Sequence, residues 1–81
     1  MKGDKVIVRA FKNKPLVRRV WEVTSDAVFI CSEENYNALA NGKEGLLPVG
    51  FPREHVYRYN PKIDLSTQVQ WNQLSAYVQV T

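Results

Sequence analysis

The chain has 81 residues, a formal net charge of +3, 44% hydrophobic and 23% charged residues, one cysteine and one histidine. A chain this short builds one small core, burying roughly 60 to 65% of the surface its unfolded form exposes, and leaves no room for a second domain. The overall composition is that of a globular domain and not of a disordered chain, and it excludes an internal disulfide and a closed metal site, since Cys31 and His55 stand alone and 24 residues apart.

The opening "MKGDKVIVRAFK" is neither a signal-peptide core nor a membrane span, and no lipidation pattern is present, so a cytoplasmic protein without a membrane partner is expected. "KVIVRAF" (5 to 11) is β-branched and aromatic and follows the turn "GD", which predicts a first strand. "KNKP" (12 to 15) breaks it, with Asn13 suited to a turn, and "LVRRVWEV" (16 to 23) is the second strand. After "TSD", the short apolar run "AVFIC" (27 to 31) predicts a buried third strand containing Cys31, and two tight connections in succession make an antiparallel meander.

Ser32 is placed as an N-cap, with Glu33 and Glu34 in the first turn where the helix dipole favours acids, and Asn41-Gly42 as the stop of a short helix over 33–41. Tyr36 and Leu39 should pack it against the sheet. Residues 43 to 61 hold two of the four glycines and three of the four prolines, predicting "LLPVGF" as a strand, a turn of tight helix, and "VYRY" as a last short strand. A capping-box spacing from Thr67 to Gln70, and a stripe of Trp71, Leu74 and Val78, predict a C-terminal helix over about 68–78, although "QVQW" and "YVQV" alternate as strands do. Everything belongs to one unit, 1–81, with a barrel over 3–59 and a C-terminal segment over 62–81.

Three meandering strands, an interruption, a fourth strand, a tight turn at "PREHV" and a fifth strand resemble an SH3-like small barrel. "GFPREHV" (50 to 56) is similar to the SH3-type segment in which a glycine and an aromatic precede a proline and a valine opens the last strand. "GDKV" (3 to 6) looks like the opening of small barrels of the translation and transcription class. The expected fold is therefore α+β, an SH3-like five-stranded antiparallel barrel with an inserted helix and a C-terminal helix. Departures include the absence of a tyrosine-rich opening motif and a histidine, His55, where the signalling pattern carries a tyrosine of its proline-peptide groove. An aromatic groove would fall to His55, Tyr57 and Tyr59, with Trp21 alongside. The chain also resembles in type the small products of mobile gene cassettes, which implies no activity.

Residues 1 to 19 carry seven bases against Asp4 alone, a local balance of +6, while the other 62 residues sum to −3. On paired first and second strands, Arg9, Arg18 or Arg19 and the turn lysines Lys12 and Lys14 would form one basic surface, edged by Phe11 or Trp21. Such a surface contacts phosphates and stacks bases, protects an exposed edge, or meets an acidic protein, a second copy included.

His55 is a titratable group without a nucleophile or carboxylate constellation, which favours a structural role at the turn over catalysis. "GKEG" (42 to 45) lacks the lysine-hydroxyl pair of a phosphate loop, and the adjacent Glu33 and Glu34 point about 100 degrees apart on a helix, so no cofactor and no enzymatic reaction are expected. Leu65 to Thr81 carries no charge, so Trp71, Leu74, Tyr77 and Val78 close the barrel, form an oligomer interface or belong to a disordered tail. The expected function is a non-enzymatic binding module, with a homo-oligomer held through the uncharged segment as the alternative. An enzyme site formed at an oligomer pore is a third class.

Overall fold

The structure, a computed structural model, describes residues 1–78; positions 79–81 of the uncharged segment lie outside the described residues. The β-branched and aromatic runs form five antiparallel strands: β1 (Lys5–Arg9), β2 (Pro15–Val23), β3 (Ala27–Cys31), β4 (Val49–Pro52) and β5 (Val56–Arg58). Their order in the sheet is β4-β3-β2-β1-β5, so the last strand returns to pair with the first. Two helices, α1 (Glu33–Ala40) and α2 (Leu65–Gln68), complete an α+β architecture. The sheet leaves β4 and β5 as its two outer strands rather than closing on itself.

Strand alternation sorts the side chains onto two faces. Val6, Val8, Val20, Val28, Ile30 and Val56 form the core cluster, to which Phe51, Tyr77 and Val78 add partly buried surface. Full burial of an aliphatic side chain of this size stabilises by about 1.5 to 3 kcal/mol, so this cluster supplies most of the driving force. Ile7 and Tyr57 are buried on the opposite face, where Ile7 stands between Val17 and Tyr57 in the register.

The β1–β2 hairpin closes through Phe11–Lys14, with Lys12 and Asn13 both at positive φ (58° and 59°) and Lys14 N–H donating to the Phe11 carbonyl. This is the geometry of the primed turns, whose twist matches that of the flanking strands. Asn13 tolerates it, and its side-chain oxygen also accepts from Arg9 Nε at 2.8 Å. Strand β2 carries one irregularity: Val20 pairs with Ile30 and Glu22 with Phe29, leaving Trp21 as the extra residue of a bulge. Across β3 and β4, Phe29 faces Gly50, where a Cβ would come within 3.1 Å of the ring, so glycine is what lets the aromatic lie over the outer strand.

Ser32 caps α1 as its sequence position predicts, its hydroxyl accepting from Asn35 N–H at 3.1 Å, and Gly42 ends it in the left-handed region at φ 71°. "LLPVGF" is a strand only from Val49 onward, because Pro48 has no N–H to donate to a ladder. The 3-10 turn Arg53–His55 then leads into β5, as expected.

The C-terminal helix over 68–78 does not form. Helix α2 begins earlier and ends at Gln68, whose amide folds back to donate to the carbonyls of Asn60 and Ile63 and to accept from Asn60 N–H. Beyond it the backbone pairs along β5: Arg58 N–H donates to Ser75 C=O, Tyr77 N–H to Val56 C=O, and Tyr57 bridges Ala76. A short helix there would be marginal, whereas this path satisfies the outer edge of β5. It also sends Trp71 to one face of the sheet, against Tyr57, and Tyr77 and Val78 to the other, against the core cluster.

Candidate nucleic-acid interface

The register decides where each basic residue points. Lys5 pairs with Arg19, and Arg19 with Cys31, which puts Lys5, Arg19 and, by alternation, Arg9 on the face opposite the core cluster. Arg18 pairs with Val6 and therefore stands on the core side. The single basic surface expected from strands one and two is thus divided between two faces.

On the first of these faces the cations are engaged within the chain. Arg19 donates from Nη1 to the Gly3 carbonyl at 2.7 Å and from Nη2 to Glu33 Oε1 at 2.8 Å, and its guanidinium stands 5.6 Å from the Tyr36 ring centre. Lys5 lies 3.9 Å from the same carboxylate. The hydrogen bond from Arg19, then the charges of Lys5 and Arg19, hold the Glu33 carboxyl below the ordinary glutamate range. Trp21 is turned by its bulge into an edge-on contact with Tyr36, centroids 5.7 Å apart, while the Lys2 ammonium stands 3.8 Å from its ring centre. Trp21 and Arg19 are therefore parts of the joint between α1 and the sheet.

At the far end of this face Arg9 lies between Asn13 and the Trp71 ring, 5.2 Å from its centre, with Trp71 tilted on Tyr57 at 5.4 Å. The hairpin tip extends past this cluster. Phe11 there is 85% exposed, and Lys12 within the turn and Lys14 at its end are exposed, Lys12 with its ammonium 5.7 Å from the Phe11 ring centre. None of Arg9, Lys12 and Lys14 makes an ion pair among the described residues. Just behind the tip, Arg9, Trp71 and the polar side chains of Gln70, Asn72 and Gln73 line a shallow recess.

The expected aromatic groove is not assembled. Tyr57 is buried under Trp71, His55 is exposed in the 3-10 turn, and only Tyr59 borders an open cleft, shared with Asp4, Lys5, Arg58, Pro61 and Tyr77. Trp71, Tyr77 and Val78 pack on their own sheet, with the Tyr77 hydroxyl 2.7 Å from Asp4 Oδ2 and 3.1 Å from the Met1 carbonyl, and Leu74 is half-buried. Among the described residues there is no group of three ligating side chains that could hold a metal ion, and no helix is long and apolar enough to cross a membrane.

Phe11 was expected at the edge of a basic strand surface; its position as a bare aromatic at the turn depends on the hairpin closing at Lys12-Asn13 rather than further on. The sequence pattern predicts a strand for Leu46 and Leu47, which lie instead on a loop, 74% and 84% exposed. A signal was present in Pro48, which stops the ladder just after them. A comparison with protein-family models, curated proteins and solved structures finds no match to this chain.

Proposed function

We propose that the chain is a non-enzymatic binding module of SH3-like barrel type whose hairpin tip takes a single-stranded nucleic acid. The barrel-type reading is supported by the return of β5 to pair with β1 and by the 3-10 turn between β4 and β5. The observation that carries the binding reading is Phe11, 85% exposed beside Lys12 in the turn that Lys14 closes, with Arg9 and Trp71 at the base of the same hairpin. Exposing a phenyl ring to water is unfavourable for folding, whereas a base can stack on it while the ammonium groups meet phosphates.

The test is fluorescence anisotropy of a labelled oligothymidylate titrated with the protein across a salt series. Each phosphate neutralised on a single strand contributes about 0.7 to the slope of log K against log salt, so Lys12→Gln with Lys14→Gln should reduce that slope by about 1.4. Phe11→Ala should weaken binding by about 1 to 3 kcal/mol, the range for one base stacked on an aromatic side chain, with the salt slope intact. Absence of binding at low salt, or binding indifferent to Phe11, refutes the proposal. Binding of an acidic protein with a salt slope but no dependence on Phe11 would assign the tip to the expected acidic partner instead.

A further inference from the structure

The two outer strands of the sheet are treated differently. Residues 75 to 77 pair along β5 and satisfy its edge, while β4 has β3 on one side and, among the described residues, no strand on the other. Beside β4, the core face runs out into an open groove of about 380 Å³ lined by Leu16, Ile30, Leu46, Leu47, Val49 and Phe51. Leu46, Leu47 and Val49 are 74%, 84% and 57% exposed, and residues 45 to 52 hold no charge. An unprotected edge flanked by exposed leucines is what soluble proteins avoid unless something covers it.

Two features of this face point to the occupant. Arg18 is the one charged residue that lines the groove; its Nη1 donates to its own Val17 carbonyl, and it makes no ion pair among the described residues. The loop that supplies Leu46 and Leu47 also carries an exposed carboxylate, Glu44, two residues earlier and next to the exposed Lys43, neither of them in an ion pair among the described residues. One patch thus holds both an apolar knob with an acid and an apolar groove with a base, which is the self-complementarity that a two-fold interface requires.

We propose that a second copy of this chain covers the β4 face, each copy setting Leu46 and Leu47 into the groove of the other and bringing Glu44 to the other's Arg18. This interface is independent of the hairpin tip, which takes no part in it.

Sedimentation equilibrium of the full chain over a concentration series tests the proposal. A dimer is expected, with Leu46→Asp and Leu47→Asp together weakening association at least a hundredfold; both side chains are exposed, so unchanged circular dichroism should confirm folding. Arg18→Glu and Glu44→Arg should each weaken the dimer at least tenfold, and the two together should recover most of the loss. A chain that stays monomeric at high concentration overturns the proposal, as does a dimer that ignores the leucine substitutions. A monomer that binds phosphatidylcholine vesicles through Leu46 and Leu47 would also overturn it and assign the face to a lipid surface. Failure of the charge exchange to restore association, with the leucine effect intact, overturns the Arg18–Glu44 pairing.

Discussion

Replacement of Trp71 by alanine tests how the C-terminal segment is held. An indole buries about 150 to 250 Å² when fully covered, and Trp71 is half-buried on Tyr57 with Arg9 over its ring. About two-thirds of that area at about 25 cal/mol per Å² is roughly 2.5 to 4 kcal/mol. The tilted ring pair with Tyr57 adds about 0.5 to 1.5 kcal/mol, giving a total of at least about 3 kcal/mol. For a domain of this size each kcal/mol is worth about 4 to 8 °C of Tm, so Trp71→Ala should lower Tm by at least about 12 °C. Arg9→Ala and the double variant complete a cycle whose coupling should be about 0.5 to 1 kcal/mol, the worth of an exposed cation over an aromatic ring. Urea denaturation followed by far-UV circular dichroism reads all four proteins, and light scattering should give Trp71→Ala the same mass as the parent chain. A destabilisation under about 1 kcal/mol, or a lower mass in the variant, would refute this account and return Trp71 to an intermolecular role.

Two further changes probe local features. Lys12 occupies the left-handed region at φ 58°, which costs an L-residue roughly 1 to 2 kcal/mol; glycine removes that cost but loses about 0.5 to 1 kcal/mol in chain entropy. Lys12→Gly should therefore raise stability by about 0.5 kcal/mol and Lys12→Val should lower it, as measured by urea midpoints; the opposite order would contradict the turn geometry. Because the Glu33 carboxyl is held below its ordinary range by Arg19 and Lys5, its contribution is present above the unfolded-state value and is lost as pH falls through the depressed one. Glu33→Gln should flatten that portion of the stability profile, and profiles that stay parallel through the acidic range would show that the pair carries no linkage.

Much of the fold is legible locally. The runs "KVIVR" and "AVFIC" are apolar and β-branched and become strands within a residue or two of their ends; Ser32 has an Asn35 N–H to accept from, and Pro52 precedes a turn that needs no ladder donor. What sequence cannot supply is parity. Whether Arg18 or Arg19 joins Arg9 depends on which residue faces Val6 across the hairpin, and a one-residue slip exchanges the two faces. Trp21 is displaced by a bulge that no residue near it announces. The tail misleads for a related reason: its apolar spacing suits one helical stripe, but its side chains serve both faces of a sheet edge, and the bond that ends α2 comes from Asn60, eight residues before Gln68.

The two proposed surfaces answer to different physical terms, and that separation keeps the readings apart. At the hairpin tip the groups that matter are ammonium side chains without counter-charges, so binding there must weaken as salt screens them. On the β4 face the contact is mainly apolar, with one ion pair enclosed by leucines, so association should change little with salt and respond instead to leucine removal. Neither term substitutes for the other, because Arg18 is turned to the core side by its pairing with Val6 while Arg9 is held at the far end of the opposite face by Asn13 and Trp71. A two-fold arrangement through β4 would leave both hairpin tips uncovered and double the number of cationic contacts offered to one long strand. The gain in such a case comes from effective concentration rather than from any new contact, and it rests on the first hairpin placing Arg9 and Arg18 on opposite faces.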